Sequence, residues 1–426
     1  MLLSLRVPGV ASLDAVHREE PRRLAFVFAV IYFAQAMAYL PGQTVNIELK
    51  EHVGLSAAQM ATFSLITTTP WFLKPLYGLL SDFLPVFGSR RKNYLLIASG
   101  LASTTAVFAA INATPTYLFL LAVMFVLGLG LAFSDVVIDA LMVEKGRAFG
   151  MIGTFQSVQW TAMYVGVVLV GLVGGHFAEA RNLRSSYLLA AAFPLTAFCF
   201  VLFRLSDTPV DSDVSTIGKR TAPIWQTLRS GSFLMVTTFI FLFNFSPSFG
   251  ASLFYYQTDH LKFSQQLIGG LLSTAAVGSI VGSVLYTPIS RAFPLRLIVL
   301  NAVILSAVGT LAYLLYRGPI AAFIIEASFG ILAMVTRLAL FDLAARSCPI
   351  GVEGTFFAGL MTVYAFGQQG SDVIGGYIYG TLGYVPLVVI SAAATALVLV
   401  MFPYIPFQRL QESQTRMELI RTAVVE

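Results

Sequence analysis

Apolar stretches long enough to cross a bilayer as helices, about 20 residues each, alternate with short polar segments along the whole chain. Twelve can be marked, at roughly 24–44, 60–84, 93–112, 117–142, 150–175, 187–204, 232–256, 266–290, 297–316, 319–345, 354–380 and 385–405. The longest internal polar stretch, 206–230, falls between the sixth and the seventh. It separates two halves, 24–205 and 231–405, and leaves an N-tail at 1–23 and a C-tail at 406–426. The halves are faintly alike: GTFQ at Gly153–Gln156 matches GTFF at Gly354–Phe357, Asp139 matches Asp342, and Leu55-Ser56 matches Phe263-Ser264. Short matches at equivalent places in a six-plus-six scheme are how parallel transporter repeats show in sequence. The pattern therefore predicts an all-α membrane protein, with twelve transmembrane helices in two six-helix pseudo-repeats around a central cavity.

Composition agrees, with 57% hydrophobic residues, 11% charged and a mean hydropathy of +0.80 over 426 residues, too apolar for a soluble domain of this length. The net charge of +5 raises nucleic acid as a partner, but the basic residues sit in short inter-helix segments, which excludes it. If the N-terminus is cytoplasmic, inside segments hold 19 of the 26 lysines and arginines and outside loops 5, with Lys74 and Arg337 inside spans. This bias predicts that both termini and the 206–230 linker are cytoplasmic. The polar, mixed-charge start lacks the pattern of a signal peptide. Cys199 and Cys348 give neither a disulfide framework nor a metal-ligand spacing. No nucleophile with a base, metal cluster or phosphate loop is visible, so neither an enzyme nor a cofactor is expected.

Residues Thr67–Tyr94 depart most from an ordinary membrane helix. Pro70 and Pro75 each remove an N–H and disturb the carbonyl four residues back, so the second span should break where lipid offers no replacement donor. Lys74, Gly78 and Asp82 follow at i, i+4 and i+8 and share a face, with Arg90, Arg91 and Lys92 just beyond.

A charge at a helix centre costs about 2.5 to 3.5 kcal/mol, so each intramembrane charge needs a partner or water. Asp135 and Asp139 lie one turn apart on span four and resist joint ionisation, which makes either a candidate proton carrier. The plainer reading is that one neutralises Lys74 and the other meets solvent. Arg337 lies about 12 Å from the end of span ten at 1.5 Å per residue, at a depth like that of Asp135. It either pairs with Asp342, five residues on and in poor helical geometry, or awaits an anion, which a guanidinium can hold through paired hydrogen bonds. Lys74 either pins span two to span four or exchanges partners during transport. Glu326 and Asp372 are expected nearer the outer surface, meeting water; Trp71, Tyr255 and Tyr256 are weaker candidates.

Gly78 to Asp82 as GxxxD, followed by Gly88, Arg90 and Arg91, resembles the signature between helices 2 and 3 of the major facilitator superfamily. The fuller string PWFLKPLYGLLSD…RRKNY, the FLFNFSPSFGASLFYYQTDHLKFSQQLIG segment and SCPIGVEGTFFA resemble, more particularly, the folate-biopterin transporter family. One departure is GSVLYTPISR after span eight, which keeps Gly282 but has Tyr286 where a second acid would sit.

The resemblance implies secondary transport of a folate or pterin by alternating access, often proton coupled, by a monomer in a bacterial inner (plasma) membrane. Spans one, four, seven and ten would surround the cavity, placing Arg337 across from Asp135 and Asp139. Asp135 or Asp139 would accept from the pterin edge, Arg337 would meet the glutamate carboxylates, and Lys74 would be a further substrate-binding residue. Gly78, Asp82, Arg90 and Arg91 would form a gate, Asp82 capping span eleven when the cytoplasmic side is closed. Alternatives are a carrier of another solute, such as a sugar-peptide, acyl-CoA or drug, and a non-transporting receptor or assembly factor.

Overall fold

A computed structural model of the chain describes residues 10–89, 91–149, 151–205, 230–348 and 353–407. Among these residues the backbone is helical apart from turns and one isolated pairing of Val86 with Ser89. Lipid supplies no hydrogen-bond partners, so helices satisfy their own backbone within each span. In chain order the helices are α1 (Val10–Met37), α2 (Gly42–Glu51), α3 (Ala57–Phe72), α4 (Lys74–Phe83), α5 (Lys92–Ile111), α6 (Tyr117–Phe149), α7 (Ile152–Glu179) and α8 (Leu183–Arg204) in the first half. The second half contains α9 (Gly231–Asn244), α10 (Gly250–Tyr255), α11 (Gln265–Ala292), α12 (Leu295–Leu311), α13 (Pro319–Ser347), α14 (Glu353–Leu382) and α15 (Tyr384–Leu397). Nine stretches among the described residues are long and apolar enough to cross a membrane. The other three expected spans are the interrupted pairs α3 with α4 and α9 with α10, and α14. Residues 206–229 of the linker and most of the C-tail lie outside the described residues, and α1 begins ahead of the expected first span.

The interruptions follow from the sequence. Only Leu73 separates α3 from α4, and its N–H reaches the Pro70 carbonyl at 3.2 Å. Pro75 takes the second position of α4, where a missing N–H breaks no helical bond. Between α9 and α10 the Ser246-Pro247-Ser248 turn frees backbone groups, and the Ser248 N–H finds the Ser371 carbonyl of α14 at 3.2 Å. The matched serines of the two halves have the same task. Ser56 caps α3 by accepting from the Gln59 N–H at 3.3 Å, and Ser264 caps α11 by accepting from the Leu267 N–H at 3.2 Å.

Within the first half α5 packs on α6 and α8, and α1 on α7; within the second, α11 packs on α13 and α12 on α15. The halves meet where α7 crosses α11 and α3 crosses α14. Glycine makes the first crossing close: a β-carbon on Gly269 would strike the Gly171 carbonyl and lie 2.9 Å from the Gly175 Cα.

Candidate functional site

Between the halves lies a cavity of about 870 Å³. Its first-half wall carries Gln35, Tyr39, Trp71, Lys74, Asp135, Asp139, Gln159 and Trp160, and its second-half wall Gln257, Glu326, Phe341 and Tyr364. The break between α3 and α4 puts Trp71 and Lys74 there together. The Lys74 ammonium sits 4.5 Å from the Trp71 ring centroid, and the Trp71 indole donates to the Tyr39 hydroxyl at 3.0 Å.

The two aspartates of α6 have different surroundings. Lys74 Nζ donates to Asp135 Oδ2 at 2.6 Å, pinning α4 to α6. With its amide turned to face the carboxylate, Gln35 donates to Asp135 Oδ1 at 3.1 Å. Asp139, one turn on, accepts from the Tyr32 hydroxyl and, at 3.1 Å, from Gln159 Nε2. Among the described residues no cation is paired with it. One aspartate is thus neutralised by a lysine and the other held by neutral donors alone.

Arg337, half-buried on α13, donates from Nε to the Tyr364 hydroxyl and from Nη1 to the Tyr164 hydroxyl of the opposite half, both at 3.2 Å. The possible pair with Asp342 is not made. Asp342 instead takes two hydrogen bonds from Arg346 at 2.8 and 2.9 Å, an i, i+4 pair with better helical geometry. Tyr286, in place of a second acid after span eight, points its hydroxyl at Asp342 from 3.4 Å.

Glu326 and Asp372, expected nearer the outer surface and meeting water, are each half-buried with a hydroxyl partner. Glu326 lines the cavity and accepts from the Tyr316 hydroxyl at 3.2 Å, which itself accepts from Gln257 at 2.6 Å. Asp372 accepts from the Ser248 hydroxyl at the break between α9 and α10. Tyr255 reaches across the halves to the Leu55 carbonyl, and Tyr256 stacks on Tyr384.

The proposed gate is described only in part. Gly78 faces Val136 of α6, where a β-carbon would find an ordinary 3.7 Å contact. The side chains of Asp82 and of the first residues of α14, 353–355, and the whole of Arg90 lie outside what the structure describes. Gly88 turns the connecting loop with φ of +75°, a conformation glycine adopts without strain. Arg91 is buried rather than splayed into a loop, donating to Ser81 Oγ at 2.7 Å and to Glu144 at 2.5 Å, so it ties α4 to the end of α6.

At the end of the bundle marked by Gln43 the halves are joined by several polar contacts. Gln43 donates to the Gln265 carbonyl at 2.6 Å, Lys50 pairs with Asp259, and the Glu179 carboxylate accepts from the Gln265 and Gln266 N–H groups at 2.6 and 3.3 Å. Glu179 of the first half therefore caps α11 of the second.

Comparison with known proteins places this geometry. A model of the BT1 family matches residues 35–418. The folate-biopterin transporter of Synechocystis is 32% identical over 377 residues, covering 83% of this chain and 74% of the relative. Folate transporter 2 of Plasmodium falciparum is 24% identical over 366 residues, covering 80% and 78%. Among solved structures, the nucleoside transporter NupG superposes with a TM-score of 0.68 at 13% identity, covering 91% of this chain and 98% of that one. The D-xylose-proton symporter superposes with a TM-score of 0.66 at 14% identity, covering 91% and 98%. These two likenesses establish the fold, a major facilitator bundle. The chain belongs to the BT1 family, to which its folate-biopterin transporter relatives point as well, and is a multi-pass membrane transporter of a small molecule, not an enzyme.

Proposed function

We propose that this transporter moves a folate or pterin by alternating access, coupled to protons, as a monomer in the plasma membrane with both termini cytoplasmic. The observation that carries the reading is the cavity, walled by both halves and holding an ion pair, a cation-free carboxyl and aromatic rings beside a carboxylate-seeking arginine. The curated relatives, named for folate and biopterin, support the substrate class.

Each group has a part in this scheme. The aromatic walls suit a flat heterocycle, and Arg337, held behind the cavity wall by Tyr364 and Tyr164 with no carboxylate paired to it among the described residues, suits a carboxylate of the solute. Asp139 is the proton carrier: its Tyr32 hydroxyl can turn to donate or accept, and Gln159 can offer NH₂ or C=O, so its surroundings serve either protonation state. The Lys74–Asp135 pair, one turn away and in the same wall, would feel the loss of that charge. The contacts at the Gln43 end make it the closed face. The bias of lysine and arginine puts this face outside, which makes the state inward-facing. Gly78, Asp82, Arg90 and Arg91 then belong to the gate at the opposite mouth, with Asp82 capping span eleven once that mouth closes.

Thermal stabilisation of the purified protein by a solute panel tests the substrate. Folate and biopterin should raise the unfolding temperature in a concentration-dependent way, while a nucleoside, a pentose and a dipeptide should not. Stabilisation by one of the latter alone would assign a different solute to the same cavity.

A further inference from the structure

Of the three carboxyls that line the cavity among the described residues, Glu326 accepts the fewest hydrogen bonds. Asp135 is occupied by Lys74 and Gln35, and Asp139 by Tyr32 and Gln159. Among the described residues Glu326 accepts one hydrogen bond, from Tyr316, and this tyrosine is steadied by Gln257. The Gln257 amide also lines the cavity.

Glu326 and Arg337 also stand in a defined relation. Both are on the continuous helix α13, eleven residues apart. That is close to three full turns, so the two share a face, separated by about 16 Å along the axis. Beside this interval the cavity wall is apolar, with Leu271, Leu272 and Ala275 from α11, and near Arg337 it continues with Tyr364 and Met361 of α14 and with Phe341, one turn past Arg337 on α13; Tyr364 is the lining residue that meets Arg337.

We propose that Glu326 reads the pterin edge of the substrate, so that a folate lies along α13 with its pterin at Glu326 and its glutamate carboxylates at Arg337. The proposal deepens the folate or pterin reading above and rests on it. A pterin carries its 2-amino group beside a ring N–H, and a carboxylate accepts from both at once, as it would from a guanidinium. The aminobenzoyl ring of a folate occupies the apolar interval, and an extended folate has about the length that separates the two charged residues. Unconjugated biopterin uses the Glu326 end alone. This places the pterin contact on the second half and leaves the carboxylates of α6 to the Lys74 pair and the proton.

Equilibrium binding of four probes to the purified full-length protein tests this: folate, biopterin, p-aminobenzoylglutamate, which lacks the pterin, and a biopterin analogue lacking the 2-amino group. Glu326→Gln should weaken folate and biopterin about tenfold to a hundredfold, the usual effect of losing a charge-assisted hydrogen bond, and leave p-aminobenzoylglutamate as it was. Arg337→Gln should weaken folate and p-aminobenzoylglutamate and spare biopterin. In the unaltered protein the deaminated analogue should bind about tenfold or more weaker than biopterin, and in Glu326→Gln the two should bind alike. That comparison depends on the ligand, so it stands even if a variant expresses poorly. Equal affinity for biopterin and its deaminated analogue in the unaltered protein would overturn the assignment, as would losses on Glu326→Gln that include p-aminobenzoylglutamate. Binding of neither folate nor biopterin by the unaltered protein would instead remove the substrate reading itself.

Discussion

The carboxylate of Glu179, the last residue of α7, accepts from the backbone N–H of Gln265, the first residue of α11, at 2.6 Å. The contact joins the halves at the Gln43 end, and it places an anion against the positive pole of a 28-residue helix. An alternating-access cycle must break it. Glu179→Gln should favour the opposite, outward-open state by about 1 kcal/mol, about fivefold in a two-state equilibrium. Asn46 lines the cavity behind this end. With Cys199 and Cys348 replaced by serine, Asn46→Cys should be labelled by an impermeant maleimide from the Gln43 side about fivefold faster in the Glu179→Gln variant. An unchanged rate would mean that the contact is not part of the closed face.

The Lys74–Asp135 pair should be structural as well as functional. Removing one partner of a buried pair costs about 3 to 5 kcal/mol. The Lys74 side chain is 30% exposed to the cavity and that of Asp135 6%, which places the loss near the lower limit, about 3 kcal/mol. Lys74→Met should lower the thermal midpoint in detergent clearly, and adding Asp135→Asn should restore most of it. A double variant no better than the single one would show that the lysine contributes by packing, not by charge.

Asp139→Asn is nearly isosteric, and an asparagine can still accept from Tyr32 and Gln159, so the fold should be kept. Uptake by this variant should no longer respond to a pH gradient, while exchange of solute for solute across the membrane should continue. Retained gradient-driven accumulation would move the proton to another group.

Orientation is checked most simply at two points. Lys262, in the turn before α11 at the Gln43 end, should be labelled from outside when replaced by cysteine, and a reporter fused after Glu426 should face the cytoplasm. The reverse pattern would invert the assignment of the two mouths.

The helical layout was legible because a bilayer leaves the backbone little choice, and Pro70 and Pro75 announced the break at Leu73. The Ser56 and Ser264 match identified two equivalent helix caps, since a cap is read by local chemistry. What failed was the direction that individual side chains face. On a helix apolar nearly all round, the sequence sets the depth of Glu326, nearer the outer surface, but has no polar stripe to orient it, so its facing the cavity is not legible. Asp342 is within reach of two arginines, and the i, i+4 spacing of Arg346 wins over the i, i+5 spacing of Arg337. The burial of Arg91 is not legible in its neighbourhood, because its partner Glu144 is distant in sequence. The contacts that close the Gln43 end, among them Glu179 with Gln265, also join residues of opposite halves and leave no local trace in the chain.

Uptake of radiolabelled folate or biopterin by the purified protein in liposomes is the most direct measurement. With an imposed pH gradient that drives protons inward, the solute should accumulate above its external concentration, and a protonophore should collapse the gain. No uptake of either compound by protein that remains folded, or uptake indifferent to the gradient and to the protonophore, would contradict proton-coupled folate or pterin transport.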